Sequence, residues 1–335
     1  MRALPELKEQ YKGCWPSIHV HMGIDSRFLS GKHQACPLCG EGRNRFRYAN
    51  QGGMGNYYCN QCGHGDGVQL VMRYLNMNFK EAAHEIRSIK GDIKMEAVQI
   101  VDNTHKNQAR LDKIRSGLKR ITPESIAGRY LANCGITVFP EKSCCYHPSL
   151  TYWVVDSNTG KPVSLGEYPA IVSVFRDNDG KESTFHLTFI GQDGKKLNIE
   201  HEGELVPAKK ILPPVIPLTG TAIKLFDATD TVCIAEGLCS DLSAYQDCGL
   251  PVWIAGNCGN MAKLDLPESI KHIYIYEDAD KSFSGRLAAS TLASRLAIKG
   301  GRETIKIISL VDTHQVIVSQ ESFDFNDYLI VNASH

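Results

Sequence analysis

The sequence predicts a multidomain α/β protein with a small cysteine-rich domain, a mixed α+β middle part and a C-terminal parallel sheet with flanking helices. Three observations predict this class. Two Cys-x-x-C pairs lie in the first 62 residues, residues 170–197 alternate like strands around Asp-Gly turns, and four apolar runs after residue 230 alternate with helical patterns. The predicted parts are 1–90 for the cysteine-rich domain with two trailing helices, 91–120 for a polar linker, 121–225 for the middle part and 226–335 for the parallel sheet.

Charge is unevenly spread although the chain as a whole is neutral. Residues 1–120 hold 19 Lys and Arg against 11 Asp and Glu, and the remaining residues hold 18 against 26. A basic front is suited to a polyanion and an acidic back to cations, although ordinary surface scatter gives a similar split. We find no run of 18 apolar residues and no apolar signal core near the start, so we expect a cytoplasmic protein without a membrane partner.

The chain has 12 cysteines, and four of them stand out by their spacing. Cys36 and Cys39 form one pair, Cys59 and Cys62 form the other, and 19 residues lie between the pairs. Two Cys-x-x-C turns at this separation are typical of a tetrahedral thiolate site for zinc. The sequence therefore predicts a structural Zn²⁺ ion and a β-hairpin between the two pairs.

The predicted hairpin alternates cations with aromatic residues. Candidate contacts for nucleic acid are Arg43, Arg45, Arg47, Tyr48 and Tyr57. Arginines on phosphates and rings under bases make a platform for a single strand. The alternative is that the aromatic residues simply form the core of a small ribbon.

Local signals define the segments that follow. Asp66 is predicted to cap a helix, and a second helix is predicted over NFKEAAHEIRSI. The linker contains a possible helical portion, QARLDKIRSGLKR, and Thr122 is predicted to cap the helix after it. Lys209 and Lys210 lie between prolines and, without further context, form a solvated surface pair.

Carboxylates follow two of the predicted parallel strands. Glu236 ends one apolar run, and Asp278 and Asp280 end another. Functional groups gather at the carboxyl ends of parallel strands, and alternate residues point the same way. Converging carboxylates repel one another unless a cation neutralises them, and Mg²⁺ takes one or two carboxylates together with substrate phosphates. A metal site and a charged loop facing water are both compatible with this spacing.

Several segments, taken in order, resemble a known family. AEG at 235–237 and EDAD at 277–280 resemble the Glu and Asp-x-Asp motifs of the Toprim domain. The segment around the cysteine pairs is similar to the zinc ribbon of plasmid and satellite-phage primases. The stretches GRYLANCGI, YHPSLTYW, PAKKIL and FDFNDYL also match landmarks of that group in the same order. The chain thus resembles a bacterial-type Toprim DNA primase over roughly residues 30–330.

The resemblance implies a fold, a reaction and a set of roles. It implies a C-terminal Toprim domain and synthesis of short primers on single-stranded DNA from nucleotide triphosphates. Glu236 would be a ligand of Mg²⁺ or Mn²⁺ or a proton-transfer group, and Asp278 and Asp280 would be metal ligands. Lys209 and Lys210 fall where the family carries basic residues near the nucleotide or primer.

A late motif and two departures complete the comparison with the family. Asp324, Asn326 and Asp327 form a late acidic motif, ranked below the first three carboxylates as a cofactor-binding group. Leu187 stands where the family often has arginine, so a contact with nucleic acid is lost or moved. The residues after the Asp-x-Asp motif also differ, with Lys281 directly following it.

Two other functions remain possible from the sequence. A RecR-like mediator joins a zinc finger to a Toprim domain without catalysis, and a Toprim nuclease would use the same carboxylates for hydrolysis. The chain has no Gly-x-x-x-x-Gly-Lys-Ser/Thr loop, so a replicative helicase is expected to be a separate partner. The resemblance only suggests a mobile-element origin.

Overall fold

The computed structural model describes residues 4–40, 44–59, 61–89, 93–94, 103–140, 142–156, 161–278, 283–309 and 326. The chain forms two compact units. The first comprises Met1–Asp102 with Trp153–Ser164, and the second comprises Asn103–Tyr152 with Leu165–His335. The predicted division of the second unit at residue 225 stays a prediction.

The first unit combines short helices with a three-stranded antiparallel sheet in the order β1-β2-β3. Its helices are α1 (Leu4–Gln10), α2 (Trp15–His21), α3 (Gly67–Tyr74) and α4 (Phe79–Ser88), and its strands are β1 (Phe46–Tyr48), β2 (Tyr57–Cys59) and β3 (Gly63–Gly65).

Capping residues fix where the helices of this unit begin. The side chain of Asp66 accepts a hydrogen bond from the amide of Gln69, whose side chain accepts one in return from the amide of Asp66. Asn78 and Glu81 form the same reciprocal pair at the start of α4. The predicted hairpin and both predicted helices are confirmed.

Among the described residues, the second unit contains an antiparallel sheet, a mainly parallel sheet and a two-stranded antiparallel pair. Its helices are α5 (Thr104–Arg115), α6 (Ile126–Asn133), α7 (Leu238–Cys248), α8 (Cys258–Met261) and α9 (Ser284–Lys299). The antiparallel sheet consists of β4 (Cys144–Val155), β5 (Pro162–Arg176), β6 (Glu182–Phe189) and β9 (Lys209–Ile211). The two-stranded pair consists of β7 (Glu200–His201) and β8 (Glu204–Leu205). The mainly parallel sheet consists of β10 (Ile223–Lys224), β11 (Thr231–Ala235), β12 (Val252–Ile254), β13 (His272–Glu277) and β14 (Thr304–Ser309).

One local prediction in this unit is confirmed and one is corrected. Helix α5 confirms a helical portion within residues 91–120; it belongs to the second unit and buries Leu111 and Ile114. Helix α6 is capped by Ser125, whose hydroxyl accepts from the amide of Gly128, rather than by Thr122. The carbonyl of Thr122 instead accepts a hydrogen bond from the hydroxyl of Ser125 at 2.7 Å, which completes a turn before the helix.

The parallel sheet has the order β10-β12-β11-β13-β14, with β10 antiparallel at the edge. Alternate residues of β11 face opposite layers. Cys233 and Ala235 pack in the core that includes α7, whereas Val232 and Ile234 pack in the core that includes α9. Helices therefore cover both faces, and the predicted fold class is confirmed.

Within the described part of the chain, no helix is both long enough and apolar enough to cross a lipid bilayer.

Candidate metal and nucleotide site

The four predicted cysteines come together in the first unit. The ligand sulfurs of Cys36, Cys39, Cys59 and Cys62 all lie within 4.8 Å of one another. Tetrahedral zinc with bonds of about 2.3 Å places neighbouring sulfurs about 3.8 Å apart. The Sγ atoms of Cys36 and Cys62 are 3.8 Å apart, which matches that geometry.

The surroundings of these sulfurs suit thiolates bound to a cation. Backbone amides of Leu38 and Gln61 donate to the Sγ atoms of Cys36 and Cys59, each at 3.4 Å. Burial and the neighbouring thiols raise the pKa of Cys36 and of Cys62. Four crowded thiols ionise together only when a cation balances them, so this donor set fits Zn²⁺.

The two tyrosines predicted as nucleic-acid contacts on the hairpin do not face solvent. Tyr48 and Tyr57 are buried, which corrects the stacking role predicted for their rings. Tyr48 contacts His19 at 3.1 Å, and Tyr57 accepts a hydrogen bond from Arg73 at 2.9 Å. Both rings lie in the core of the ribbon, as the alternative interpretation held. Alternate residues of a strand share a face, and each tyrosine lies on the buried face of its own strand.

The exposed face of the same strands carries Arg47 and Tyr58, which are direct neighbours across β1 and β2. Tyr58 has half of its surface exposed. Arg45 is half-buried beside them, and Arg43 lies outside the described residues. This cross-strand pair keeps the combination of cation and ring that suits a nucleic-acid strand.

In the second unit, Glu236 and Asp278 follow neighbouring parallel strands. The register pairs Ile234 with Ile275, so both carboxylates lie just beyond the same sheet edge. The chain leaves β11 toward β12 on one side and returns to β13 on the other. The two carboxylates therefore flank the topological switch point, where ligands bind in open α/β sheets.

Asp241 is a third carboxylate at this edge, and sequence reasoning missed it. Its side chain in α7 is fully buried, and neither oxygen makes a hydrogen bond of normal geometry with the described residues, although the backbone of Ala235 lies close. Burial, followed by the charges of Asp278 and Glu236, raises its pKa well above the ordinary value, and Lys209 opposes the shift. An acid on the apolar face of the predicted helix was the available signal.

Glu236 also has an unexpected neighbour. The thiol of Cys258, the first residue of α8, donates to Oε2 of Glu236 at 2.9 Å. Ser284 at the start of α9 lies 3.7 Å from the same sulfur. The contact fixes one carboxylate oxygen of Glu236, and nothing in the sequence around Cys258 indicated it.

The two candidate lysines point to opposite faces of β9. Lys209 is exposed, and its Nζ lies 3.5 Å from the position that a Cβ would take at Gly237. Lys210 instead lies over the ring of Tyr152 at 3.6 Å, where burial lowers its pKa to about 8. The structure therefore brings Lys209 to the carboxylates and places Lys210 elsewhere.

Three predicted site residues, Asp280, Asp324 and Asp327, lie outside the described residues, as does Lys281. Asn326 is described and buried, and its amide donates to the carbonyl of Cys134 at 2.6 Å and the hydroxyl of Ser243 at 2.9 Å. Asn326 thus bridges α7 and the end of α6.

Among the described residues, only the four cysteines bring three or more ligand atoms within 4.8 Å of one another. The described carboxylates at the carboxyl ends of β11 and β13, namely Glu236, Asp241 and Asp278, are here called the acidic edge. They form an open site and not a closed cage. An open arrangement of this kind suits a hard divalent cation that also takes oxygens from a substrate phosphate. The buried Asp241, whose raised pKa favours the protonated form, would contribute negative charge once a bound cation lowers that pKa.

Three family models match the chain. The model described as a Toprim domain matches residues 231–334, which include β11 to β14 and the acidic edge. Residues 231–334 form a Toprim domain. A zinc-binding domain of primase-helicase matches residues 31–68, and a domain of unknown function matches residues 105–224. The resemblance to Toprim primases with an N-terminal zinc ribbon is confirmed.

Several solved primase structures are distantly similar to this chain. The Aquifex aeolicus primase, with its zinc-binding and RNA polymerase domains, is 16% identical, covers 98% of this chain and 81% of its own, and has a TM-score of 0.41. A primase domain from Pseudomonas aeruginosa is 16% identical over 68% of this chain and 82% of its own, with a TM-score of 0.40. The primase fragment of the bacteriophage T7 primase-helicase is 14% identical. That match covers 90% of this chain and 94% of the fragment, with a TM-score of 0.35. The assignment therefore depends on the family models.

The Asp241→Asn variant is expected to be more stable than wild type at neutral pH in the absence of divalent cations. The folded-state pKa of Asp241 lies above its ordinary value of 3.8. Between those two values the folded protein holds a proton that the unfolded chain has lost, so stability falls as pH rises across that interval. The gain from the variant is about 1.4 kcal/mol for each pKa unit and disappears in acid.

Thermal unfolding between about pH 4 and pH 8 with chelator measures this difference. A cation at the acidic edge lowers the pKa of Asp241, so added Mn²⁺ is expected to shrink the gap. Equal melting temperatures at all pH values would contradict the buried, charge-repelled carboxylate.

Proposed function

We propose that this protein is a DNA primase, which makes short primers on single-stranded DNA by metal-dependent nucleotidyl transfer. The single observation that carries the proposal is the union, in one chain, of a primase-helicase zinc ribbon and a Toprim domain. The acidic edge with Glu236 and Asp278 then provides the site of chemistry. Its proposed partners are single-stranded DNA, nucleotide triphosphates and a replicative helicase.

Different side chains would bind the metal ion, the nucleotide and the template strand. Glu236 and Asp278 would hold Mg²⁺ or Mn²⁺, which supplies Lewis-acid stabilisation of charge on the reacting phosphate. Lys209, exposed beside Gly237, would neutralise part of the triphosphate. A hydroxyl of the primer end, or of the first nucleotide, attacks the α-phosphate, and pyrophosphate leaves. In the first unit, Arg47 and Tyr58 would contact the template strand.

The test is primer synthesis by the full chain on single-stranded DNA of several sequences. The reaction contains labelled ribo- or deoxynucleotide triphosphates and Mg²⁺ or Mn²⁺, with chelator and duplex DNA as controls. Short products that need both template and metal support the proposal. Degradation of labelled DNA would indicate a Toprim nuclease instead. DNA binding with neither product would indicate a RecR-like mediator.

Lys209→Met and Lys210→Met form a matched pair with separable effects. Lys209→Met is expected to weaken nucleotide binding about tenfold, because one ammonium near the phosphates is lost. Lys210→Met is expected to have the smaller effect on nucleotide binding and to change the free energy of unfolding by less than about 1 kcal/mol, because removing the buried charge offsets the loss of the cation over Tyr152. Nucleotide titration and chemical unfolding of both variants check this prediction. The reverse order of effects on nucleotide affinity would contradict it.

A further inference from the structure

Two cysteines of the second unit touch at the start of the helix that follows Glu236. The Sγ atoms of Cys134 and Cys239 are 3.0 Å apart. Cys134 ends α6, and Cys239 lies in the first turn of α7. Neither belongs to the zinc cluster or to the acidic edge. Two sulfurs at this separation need to approach by only about 1 Å to reach the bond length of a disulfide.

The environment of the pair favours a reactive thiol. The contact with Cys134 lowers the pKa of Cys239 to about 7, against the opposing effect of burial. The hydroxyl of Tyr130 lies 3.4 Å from the sulfur of Cys239, and the charges of Lys196 and Lys209 also favour a thiolate there. The same contact raises the pKa of Cys134, so one sulfur of the pair keeps its proton. A thiolate beside a thiol is the arrangement needed for dithiol oxidation.

A small oxidant can approach the pair from the side of Cys134, and the sulfur of Cys239 lies 3.0 Å behind it. Cys134 lines an open cavity of 520 Å³ with Tyr130, Asn133, Lys196 and Leu197. Both cysteines are half-buried and not sealed in the core. Because both cysteines are half-buried, an oxidant of the size of hydrogen peroxide has easier access to them than a bulky disulfide.

We propose that Cys134 and Cys239 form a peroxide-sensitive dithiol that closes to an intramolecular disulfide. The thiolate of Cys239 attacks one oxygen of hydrogen peroxide, which gives a sulfenic acid and hydroxide. The thiol of Cys134 then attacks the sulfenic sulfur, its proton goes to the departing hydroxyl group, and water leaves. The two sulfurs lose two electrons in total, and these reduce the peroxide.

Closure of this disulfide links α6 to the first turn of α7. That turn lies between Glu236 and Asp241, and Lys209 faces it. Oxidation is therefore expected to weaken Mn²⁺ binding at the acidic edge by at least about threefold. This consequence depends on the proposed function, whereas formation of the disulfide does not.

The experiment treats zinc-loaded full-length protein with hydrogen peroxide near neutral pH, followed by acid quenching, alkylation and peptide mass spectrometry. A cross-linked peptide containing Cys134 and Cys239 is expected, formed about tenfold faster than oxidation of Cys145 and reversed by dithiothreitol. In Cys134→Ser, Cys239 is expected to accumulate as a sulfenic acid that dimedone traps. Cys145→Ser is the matched control and should leave the cross-link unchanged.

The other sulfur contact of α7, between Cys233 and Cys248 at 3.9 Å, is measured in the same samples. Oxidation confined to that contact, or to the exposed Cys248, would overturn the proposal. So would full retention of both free thiols at Cys134 and Cys239 after the other non-zinc cysteines have reacted. Formation of the cross-link without any change in Mn²⁺ affinity would support the dithiol and overturn the expected effect of the disulfide on the acidic edge.

Discussion

Replacing Asp278 with asparagine is expected to lower the rate of primer synthesis by at least about a hundredfold. The amide keeps the shape of the side chain but removes the charge that would hold a divalent cation. Because Asp278 lies beside Glu236 at the switch point of the sheet, it has the central place in the proposed site. The same variant should bind Mn²⁺ at least about tenfold more weakly in a direct titration.

Asp230→Asn is a suitable control for this variant. Asp230 precedes β11 at the opposite end of the same sheet, and its carboxylate accepts a hydrogen bond from the hydroxyl of Thr231 at 2.9 Å, which an asparagine can also accept. We expect activity within about twofold of wild type. If the wild-type protein makes primers and Asp278→Asn makes them at an undiminished rate, the reaction does not take place at this acidic edge.

Replacing Cys59 with serine is expected to remove zinc and to unfold the ribbon. Cys59 is fully buried, and two backbone amides, those of Gln61 and Cys62, donate to its sulfur at 3.4 Å. Structural zinc contributes about 10–16 kcal/mol in small zinc-binding peptides, far more than a three-stranded sheet of this size supplies. Zinc content should fall from one ion per chain to nearly none, and a protease should cut within residues 31–68.

Cys14→Ser tests whether any cysteine of this unit would have the same effect. Its sulfur lies 4.0 Å from the carbonyl of Lys12, and it is not part of the four-cysteine cluster. We expect full zinc content and an unchanged cleavage pattern. A Cys59→Ser protein that keeps one zinc ion and resists the protease would contradict the four-cysteine site.

Local chemistry made much of the fold predictable. The spacing of Cys36, Cys39, Cys59 and Cys62 predicted a metal site because two short turns are enough to place the sulfurs. Asp66 predicted a helix start because a cap depends on residues three apart. The alternation of strands with helices after residue 230 predicted a parallel sheet, and this class carries its ligands at the carboxyl ends of strands.

Side-chain direction limited the rest of the prediction. Composition could not separate the buried Tyr48 and Tyr57 from the exposed Tyr58, since the choice of face depends on what packs against the ribbon. Lys209 and Lys210 are adjacent in sequence, yet only the pairing of β9 with β6 sends Lys209 toward the acidic edge.

The sequence by itself determined the class of each part, the zinc ligands and the two acidic motifs, because these depend on spacings of a few residues. Only the tertiary structure decided that Asp241 is buried beside Glu236 and Asp278, that Cys258 contacts Glu236, and that Cys134 meets Cys239. In each case a second element supplies a neighbour, which lies 22 residues away for Cys258 and Glu236 and 105 residues away for Cys134 and Cys239. Such contacts depend on how helices and strands pack, and no local pattern encodes that packing.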